Sequence, residues 1–548
     1  MTAWRSIDEF CDAARATASK GDLNSALEMI VRFVITVISR DSSLAEVFSS
    51  PELDRLALEL GRLPAKSEFQ GSDEDQVVFL VTGIAPTGGH SRVLLDLIAA
   101  DPAARATVLI TNTEHDLRQS DVEGMFEFHG GAVEVAPVGN LATRLRWLQR
   151  RLASLRPART YIFTHHFDPL CVAAAQPEIS GRLFYYHNCD HSLALGVHLP
   201  HGTHIDFNGK SFHHCRQTKG VSNNIFWPLT AQVSKHRADL PFLTTGSLIT
   251  CTSGGIGKVD NEHLYERIPY LYSYLKIVPL ILNSTSGRHI HIGDLRDSMI
   301  EEITDGLARR GIPAESFVHV PRVPNLAEAM IDLSVDVYIG SFPSGGGRAT
   351  VEAMGAGLPL ILHSNYRSVF FSDVWEAYAG ALHWRTPPEL EECLRALTPM
   401  VLKDHARRSR RHYEVHHTPE ALRTAVLGTL AGDTVTPPPA PSYQPNALQS
   451  WLDRKVAVDI ELEGLHRDRQ VWQDRAAHHE QRACIAERSA TDNYARAEAL
   501  AVDRQYLIEE RIALRETFAW PIFTFIERQT RSLTRLKQAR RRRSQESP

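Results

Sequence analysis

Cysteine is sparse and unpatterned. Seven occur in 548 residues, at Cys11, Cys171, Cys189, Cys215, Cys251, Cys393 and Cys484. None forms a C-x-x-C, so neither a disulfide framework nor a zinc ribbon is supported, and a reduced cytoplasm fits. Long apolar runs are also missing. The longest candidate, Met29 to Ile38, is broken by Arg32 and falls short of the roughly 18–20 residues of a membrane span. The opening Met-Thr-Ala-Trp-Arg-Ser has no charged n-region, apolar h-region or cleavage site, so export by a signal peptide is not expected. Charge of one sign is lacking too. The formal net charge of −5 exerts no pull toward nucleic acid. No H-E-x-x-H and no D-x-D at a strand end is present, so no metal site and no obligate metal are expected. What remains, 43% hydrophobic and 23% charged, is ordinary for a globular protein of two to four domains.

Residues 1–72 read as helical. Ile7, Phe10, Ala13 and Ala14 recur at helical spacing, as do Leu23, Leu27, Ile30 and Val34; Gly21-Asp22 breaks the pattern and Pro51 restarts it. From residue 73 strands alternate with helices. Val77–Thr82, Ala106–Thr111, Thr160–Thr164 and Arg182–Tyr186 read as strands of a first set over 73–240. Leu248–Cys251, Ile277–Leu282, His289–Ile292, Val318–Val320, Val335–Ile339 and Leu358–His363 form a second over 241–432. This alternation predicts an α/β class with two doubly wound, Rossmann-like domains and a ligand cleft beyond the strand C-termini. Residues 433–446 are proline-rich and read as a stiff linker. Residues 447–515 carry imperfect heptads. Trp451, Val458, Leu465, Trp472, Ala486, Leu500, Leu507 and Leu514 share one position, interrupted by His479 and Asn493. A coiled coil that self-associates is expected, with a single charged helix as its rival. In 516–548 the aromatic segment Phe518–Ile526 precedes Arg528, Arg531, Arg535, Lys537 and the Arg540–Arg543 run. That order suits an anionic bilayer surface, against the rival of a solvated basic tail.

The most informative stretch is Phe342-Pro-Ser-Gly-Gly-Gly-Arg-Ala-Thr-Val-Glu-Ala-Met-Gly-Ala-Gly-Leu-Pro-Leu-Ile361. A buried strand leads into Gly345, Gly346 and Gly347, and Ala349–Ala356 reads as a helix. Glycines at a helix N-terminus admit an anion to its N–H groups, and a carboxylate in that helix, Glu352, accepts from a sugar or ribose diol. The run resembles the donor-binding signature of GT-B glycosyltransferases, in particular the retaining group with two glutamates eight positions apart. Gly345, Gly347, Glu352, Ala353, Met354, Gly357 and Pro359 match it. Ser344 stands where that group has its first glutamate, which is associated with the donor hexose. The resemblance implies a GT-B fold and a nucleotide ribose held by Glu352. It does not carry over the hexose contact or the retaining outcome.

Lys258, in Thr252-Ser-Gly-Gly-Ile-Gly-Lys258, occupies a loop where similar enzymes place a lysine on the departing diphosphate; the arginine they often have five residues earlier is Ser253 here. Arg348 is a second source of positive charge. Thr87-Gly88-Gly89-His90 resembles the glycine-rich loop after the first strand of such enzymes, with His90 either a donor contact or a helix cap. Phe184 to His198 resembles an H-x-x-D-H-x-x-x-x-G-V segment of some bacterial glycosyltransferase-like proteins. Its His187, Asp190 and His191 form a candidate acid–base group, because a His–Asp pair abstracts a proton from a hydroxyl. His165-His166-Phe167-Asp168 is expected to line the same cleft.

The expectation is a cytoplasmic glycosyltransferase, peripheral at the inner membrane face. It would move a hexose from a nucleoside-diphosphate sugar to a glycan or lipid-linked acceptor in bacterial surface polysaccharide synthesis, without a cofactor. Protein glycosylation, a GT-B sugar-nucleotide epimerase and a non-catalytic scaffold are the alternatives.

Overall fold

The computed structural model describes residues 6–39, 47–62, 72–85, 89–113, 117–122, 132–260, 270, 272–435 and 437. Beyond these it describes 469–470, 472–473, 476, 494–515, 527–528, 530–531 and 535. Three helices come first. Ile7–Ser19 starts at Ser6, whose hydroxyl accepts from Glu9 N at 3.1 Å, and Pro51–Leu60 starts at Ser50 with Pro51 in its first turn. Both starts satisfy helix N–H groups that have no partner inside the helix. With Leu23–Ile38 between them, they bury Phe10, Leu27, Ile30, Val34 and Leu53 against helices Leu141–Leu155 and Pro169–Ala174.

The first sheet has seven strands, β1 Asp73–Val81, β2 Arg105–Ile110, β3 Ala132–Val135, β4 Pro157–Phe163, β5 Arg182–Tyr186, β6 Gly202–Asp206 and β7 Asn224–Phe226. Their order is β3-β2-β1-β4-β5-β6-β7, and every pairing is parallel. The second has six, β8 Ile249–Ser253, β9 Arg288–Ile292, β10 Phe317–Val320, β11 Val337–Ile339, β12 Leu360–His363 and β13 Leu382–Trp384. Their order is β10-β9-β8-β11-β12-β13, again all parallel. Both faces are covered by helices, so the central strands are buried on both sides; Gln76 to Val81 of β1 are all buried. Two doubly wound sheets in series are the GT-B plan. In each, the order reverses at one point, between β1 and β4 and between β8 and β11. Ligands bind beyond the strand C-termini at such points.

One expected strand is a helix. Ile277–Leu282 lies within helix Tyr274–Thr285, with Pro279 inside it. A short apolar run does not distinguish a buried strand from a buried helix. Here Tyr274, Ile277, Val278, Ile281 and Leu282 share the buried face, a spacing of three and four. Strands β3, β6, β7 and β13 carried no expectation. They are short, and β6 (Gly-Thr-His-Ile-Asp) is too polar to read as apolar.

The chain crosses between the sheets twice, after β7 and after helix Pro399–His416, and the crossings bond to each other. His417 O accepts from Ala231 N at 3.2 Å and from Thr230 Oγ1 at 2.7 Å, His417 Nδ1 donates to Leu229 O at 2.8 Å, and Tyr413 OH donates to Ala231 O at 2.6 Å. Helix Pro419–Ala431 then returns to pack on helix Gly89–Ala100, and Trp227 Nε1 donates to Thr429 Oγ1 at 3.0 Å.

Most of the linker, the heptad region and the tail lies outside the described residues. The exception of length is helix Tyr494–Arg515, on which the heptad residues Leu500 and Leu507 are exposed. Among the described residues no helix is long and apolar enough to cross a membrane.

Candidate functional site

The glycine loop joins β11 to helix Arg348–Gly355, with Gly347 as the N-cap at φ 50°. Its N–H groups are already engaged. Gly345 N donates to Phe371 O at 2.9 Å, Gly346 N to Asp373 Oδ2 at 2.6 Å and Gly347 N to Asp373 Oδ1 at 3.1 Å. Thr350 Oγ1 adds a further bond to Asp373 Oδ2 at 2.8 Å. A carboxylate thus occupies the helix N-terminus that the glycines were expected to offer to phosphate, where the helix dipole favours it. The same contact explains Gly345, since a Cβ there would lie 2.2 Å from Asp373 Oδ1. Nothing in Ser372-Asp373 marks it in the sequence.

Arg348 is held as well. Its Nη1 donates to Asp96 Oδ2 at 2.6 Å and Thr230 O at 2.9 Å, and its Nε lies 3.2 Å from Glu352 Oε1. Asp96 belongs to helix Gly89–Ala100 beside the first sheet, so Arg348 bridges the two domains rather than standing free for a diphosphate. Burial pushes the Asp96 carboxyl up to about 6, against the lowering effect of Arg348. Glu352 is half-buried in this cluster. Its pKa is raised, by burial first, with Arg348 and Arg92 opposing.

Lys258 and Ser344 are brought together. Lys258 Nζ donates to Ser344 Oγ at 3.3 Å, and Ser344 N reaches Lys258 O at 3.4 Å. So the residue in place of the first glutamate meets the candidate diphosphate lysine at the C-terminal ends of β8 and β11.

The first domain supplies a group of imidazoles at the ends of β1, β4 and β5. His90 and His165 meet edge to face at 4.7 Å, and His166 and His191 at 5.0 Å. Asn188 Nδ2 donates to His90 Nε2. His90 is pushed well below the usual imidazole range by burial, reinforced by His165, His166, Lys258 and His191. It is therefore a neutral ring with Lys258 of the other domain in its field. His191 Nδ1 lies 3.6 Å from Asp190 Oδ1, and its ring faces Phe371 of the second domain at 6.1 Å. Asp190 accepts from Asn208 Nδ2 at 3.0 Å and from Ser211 Oγ. Burial alone would raise its pKa, but His191 and the Lys210 ammonium outweigh that and hold it below the carboxylate range. Asp190 is thus a charged, oriented carboxylate beside a partly exposed imidazole, an arrangement that stabilises the protonated ring.

Two expected members are elsewhere. His187 is fully buried, with Nδ1 3.2 Å from Asp206 Oδ1, in a group with His204 and Cys215. Strand geometry sends it away from the cleft although it is three residues from Asp190. Asp168 caps helix Pro169–Ala174 through Leu170 N at 2.9 Å and is buried. Gly88 lies outside the described residues; Gly89 opens helix Gly89–Ala100. Sequence reasoning missed Asp96, Asp373 and the pair Lys210–Glu376. Lys210 Nζ donates to Ser372 O at 3.1 Å and lies 3.4 Å from Glu376 Oε1, both side chains being buried.

No protein-family model matches the chain, and none of the curated proteins does. Among solved structures it is similar to Anabaena HepE in complex with UDP and glucose, at 14% identity, covering 66% of this chain and 100% of that one with a TM-score of 0.45. It is similar to a Thermobaculum terrenum O-GlcNAc transferase mutant at 13% identity, covering 77% and 83% with a TM-score of 0.43. It is also similar to Acinetobacter baumannii MurG at 14% identity, covering 65% and 99% with a TM-score of 0.42. These are likenesses of fold alone.

Proposed function

We propose that the chain is a nucleotide-sugar glycosyltransferase working in the cleft between its two sheets. One observation carries this reading. Groups fit for opposite halves of a group transfer converge from the strand C-termini of both domains: His90, His165 and the His191–Asp190 pair from the first, Lys258 with Ser344 from the second. Lys258 would take charge developing on the departing diphosphate, and Glu352 the ribose hydroxyls. His191, steadied by Asp190, would take the proton of the acceptor hydroxyl. The transferred group would be a hexose and the acceptor a glycan or lipid-linked hydroxyl of a bacterial surface polysaccharide, with no metal in the transfer step. The basic, aromatic tail would hold the enzyme at an anionic membrane face, and the heptads would pair chains.

The test is calorimetry with nucleoside diphosphates, followed by turnover with a panel of nucleotide sugars. Glu352→Ala should weaken nucleotide binding by about 1.5–3 kcal/mol, the range for a hydrogen bond to a charged group. Lys258→Ala should lower turnover more than donor affinity. His191→Asn should lower transfer by roughly 10²–10⁴-fold with donor binding kept. A wild-type chain that binds no nucleoside diphosphate removes the proposal. A scaffold without catalysis is the second reading, favoured by Asp373 on the glycine loop and by Arg348 already paired. Nucleotide binding without turnover or donor hydrolysis would select it.

A further inference from the structure

His187, His204, Asp206 and Cys215 are all buried, and one ligand atom from each lies within 4.8 Å of the others. The fold assembles them simply. His204 and Asp206 are two apart on β6 and so project to one side of the sheet. Tyr186 of β5 pairs with Ile205 of β6, which sets His187 beside Asp206. Helix Gly209–Gln217 follows β6 and lays Cys215 over the same point.

As a hydrogen-bonded group the four are poorly matched. A single oxygen, Asp206 Oδ1, is approached by His187 Nδ1 at 3.2 Å, His204 Nε2 at 3.1 Å and Cys215 Sγ at 3.3 Å. One carboxylate oxygen offers about two lone-pair sites, so three donors oversubscribe it. Cys215 Sγ is also 3.4 Å from His187 Nδ1. His187 Nε2 and His204 Nδ1 are buried without a partner whether Asp206 or a metal takes the other nitrogen of each ring. Asp206 Oδ2 is separately held by Asn224 Nδ2 at 2.8 Å. Lys219 is the nearby ammonium; it interacts with Cys215 and Asp206 and lies 4.7 Å over the Phe48 ring, so the group already has one positive neighbour.

We propose that these residues form a buried structural zinc site, with His187 Nδ1, His204 Nε2, Asp206 Oδ1 and Cys215 Sγ as its ligands. Two imidazoles, a carboxylate and a thiolate are a zinc donor set. Tetrahedral zinc with bonds of about 2.0–2.3 Å separates its ligand atoms by about 3.3–3.7 Å, close to the four spacings given above, and all six lie within 4.8 Å. The cation converts three competing donors into lone pairs on one acceptor, and Asn224 orients the carboxylate from outside. The site is sealed from the cleft and takes no part in transfer. It ties the end of β5 to β6 and to the helix carrying Lys210 and Ser211, and so positions Asp190 and His191 just beyond His187. The sequence suggested no metal because the four ligands are spread over 29 residues (187 to 215) without a known Cys/His spacing.

The test uses the full-length, tag-free chain and metal ions alone. Elemental analysis should find one zinc per chain. Stripping with a strong chelator under mild denaturant should lower Tm, and refolding with zinc should restore it. Refolding with cobalt(II) should give the visible bands of a four-coordinate ion and a thiolate-to-cobalt charge-transfer band. That band should vanish in Cys215→Ser and persist in Cys484→Ser. Cys215→Ser should lose more zinc affinity than the ~10–100-fold typical of losing an outer-shell partner. Metal content, the Tm response and the cobalt spectrum are read on the wild-type chain, so they decide whether or not a variant folds. A wild-type chain without metal, whose Tm ignores zinc and which gives no thiolate band with cobalt, overturns the site. A band that survives in Cys215→Ser does so too.

Discussion

Asp54 shows how one side chain couples the helical start of the chain to the cleft. Its carboxylate is fully buried and accepts from Gly196 N at 2.5 Å and His198 N at 2.8 Å, fixing the loop just after His191. Burial pushes its pKa up to about 7, against those two bonds. An unfolded aspartate titrates near 3.9, so between about pH 4 and 7 the folded state binds more protons than the unfolded one. This contribution is full below pH 4, falls as pH rises through 7 and is constant beyond. Asp54→Asn removes the slope while giving up one acceptor. Urea titrations should therefore show the variant's deficit at pH 5 shrinking or reversing by pH 8, by at most ~3 kcal/mol. A deficit that is the same at both values contradicts it. Asp54 was not legible in the sequence. A lone acid in a helix reads as a solvated charge, and only the tertiary fold brings two loop N–H groups to it.

At the scale of elements, the turn between β11 and its helix depends on a residue from beyond β12. Asp373→Ala would leave the N–H groups of Gly346 and Gly347 and the Thr350 hydroxyl without their acceptor, a loss of about 3 kcal/mol. Gly345→Ala should cost about as much, because its methyl displaces the same carboxylate. The double variant should lose clearly less than the sum, since the clash and the bond share one partner. Additive losses in chemical denaturation would contradict the contact. Here the sequence was half legible. Three glycines before an apolar helix announce a tight strand-to-helix turn, and Glu352 and Lys258 are visible by their place after a strand. What presses on the glycines is 26 residues from Gly347 and carries no local signal. The run Ile277–Leu282 was misread for a related reason, because its burial shows in the sequence but its periodicity is too brief to decide.

For the whole molecule, alternating strands and helices made both sheets legible, whereas the links between the domains were not. Lys210 is buried against Glu376, whose pKa burial pushes up to about 7 while Lys210 opposes. Lys210→Met should destabilise by about 3–5 kcal/mol because it strands a buried acid. Adding Glu376→Leu should recover most of the loss, and thermal unfolding of the pair of variants checks this. Equal stability of the single and double variants would mean the acid is satisfied elsewhere. The two crossings, bonded to each other at Leu229–Ala231 and Tyr413–His417, have a mechanical meaning. Two crossing segments bonded side by side should behave as one hinge, which favours a single easy rotation of the domains over several. Arg348 grips the Thr230 carbonyl on the hinge itself and would travel little in that rotation. Lys210 and Glu376 are not bonded to the hinge and would separate more. They would act as a clasp, so the rate of opening should rise when this ion pair is removed.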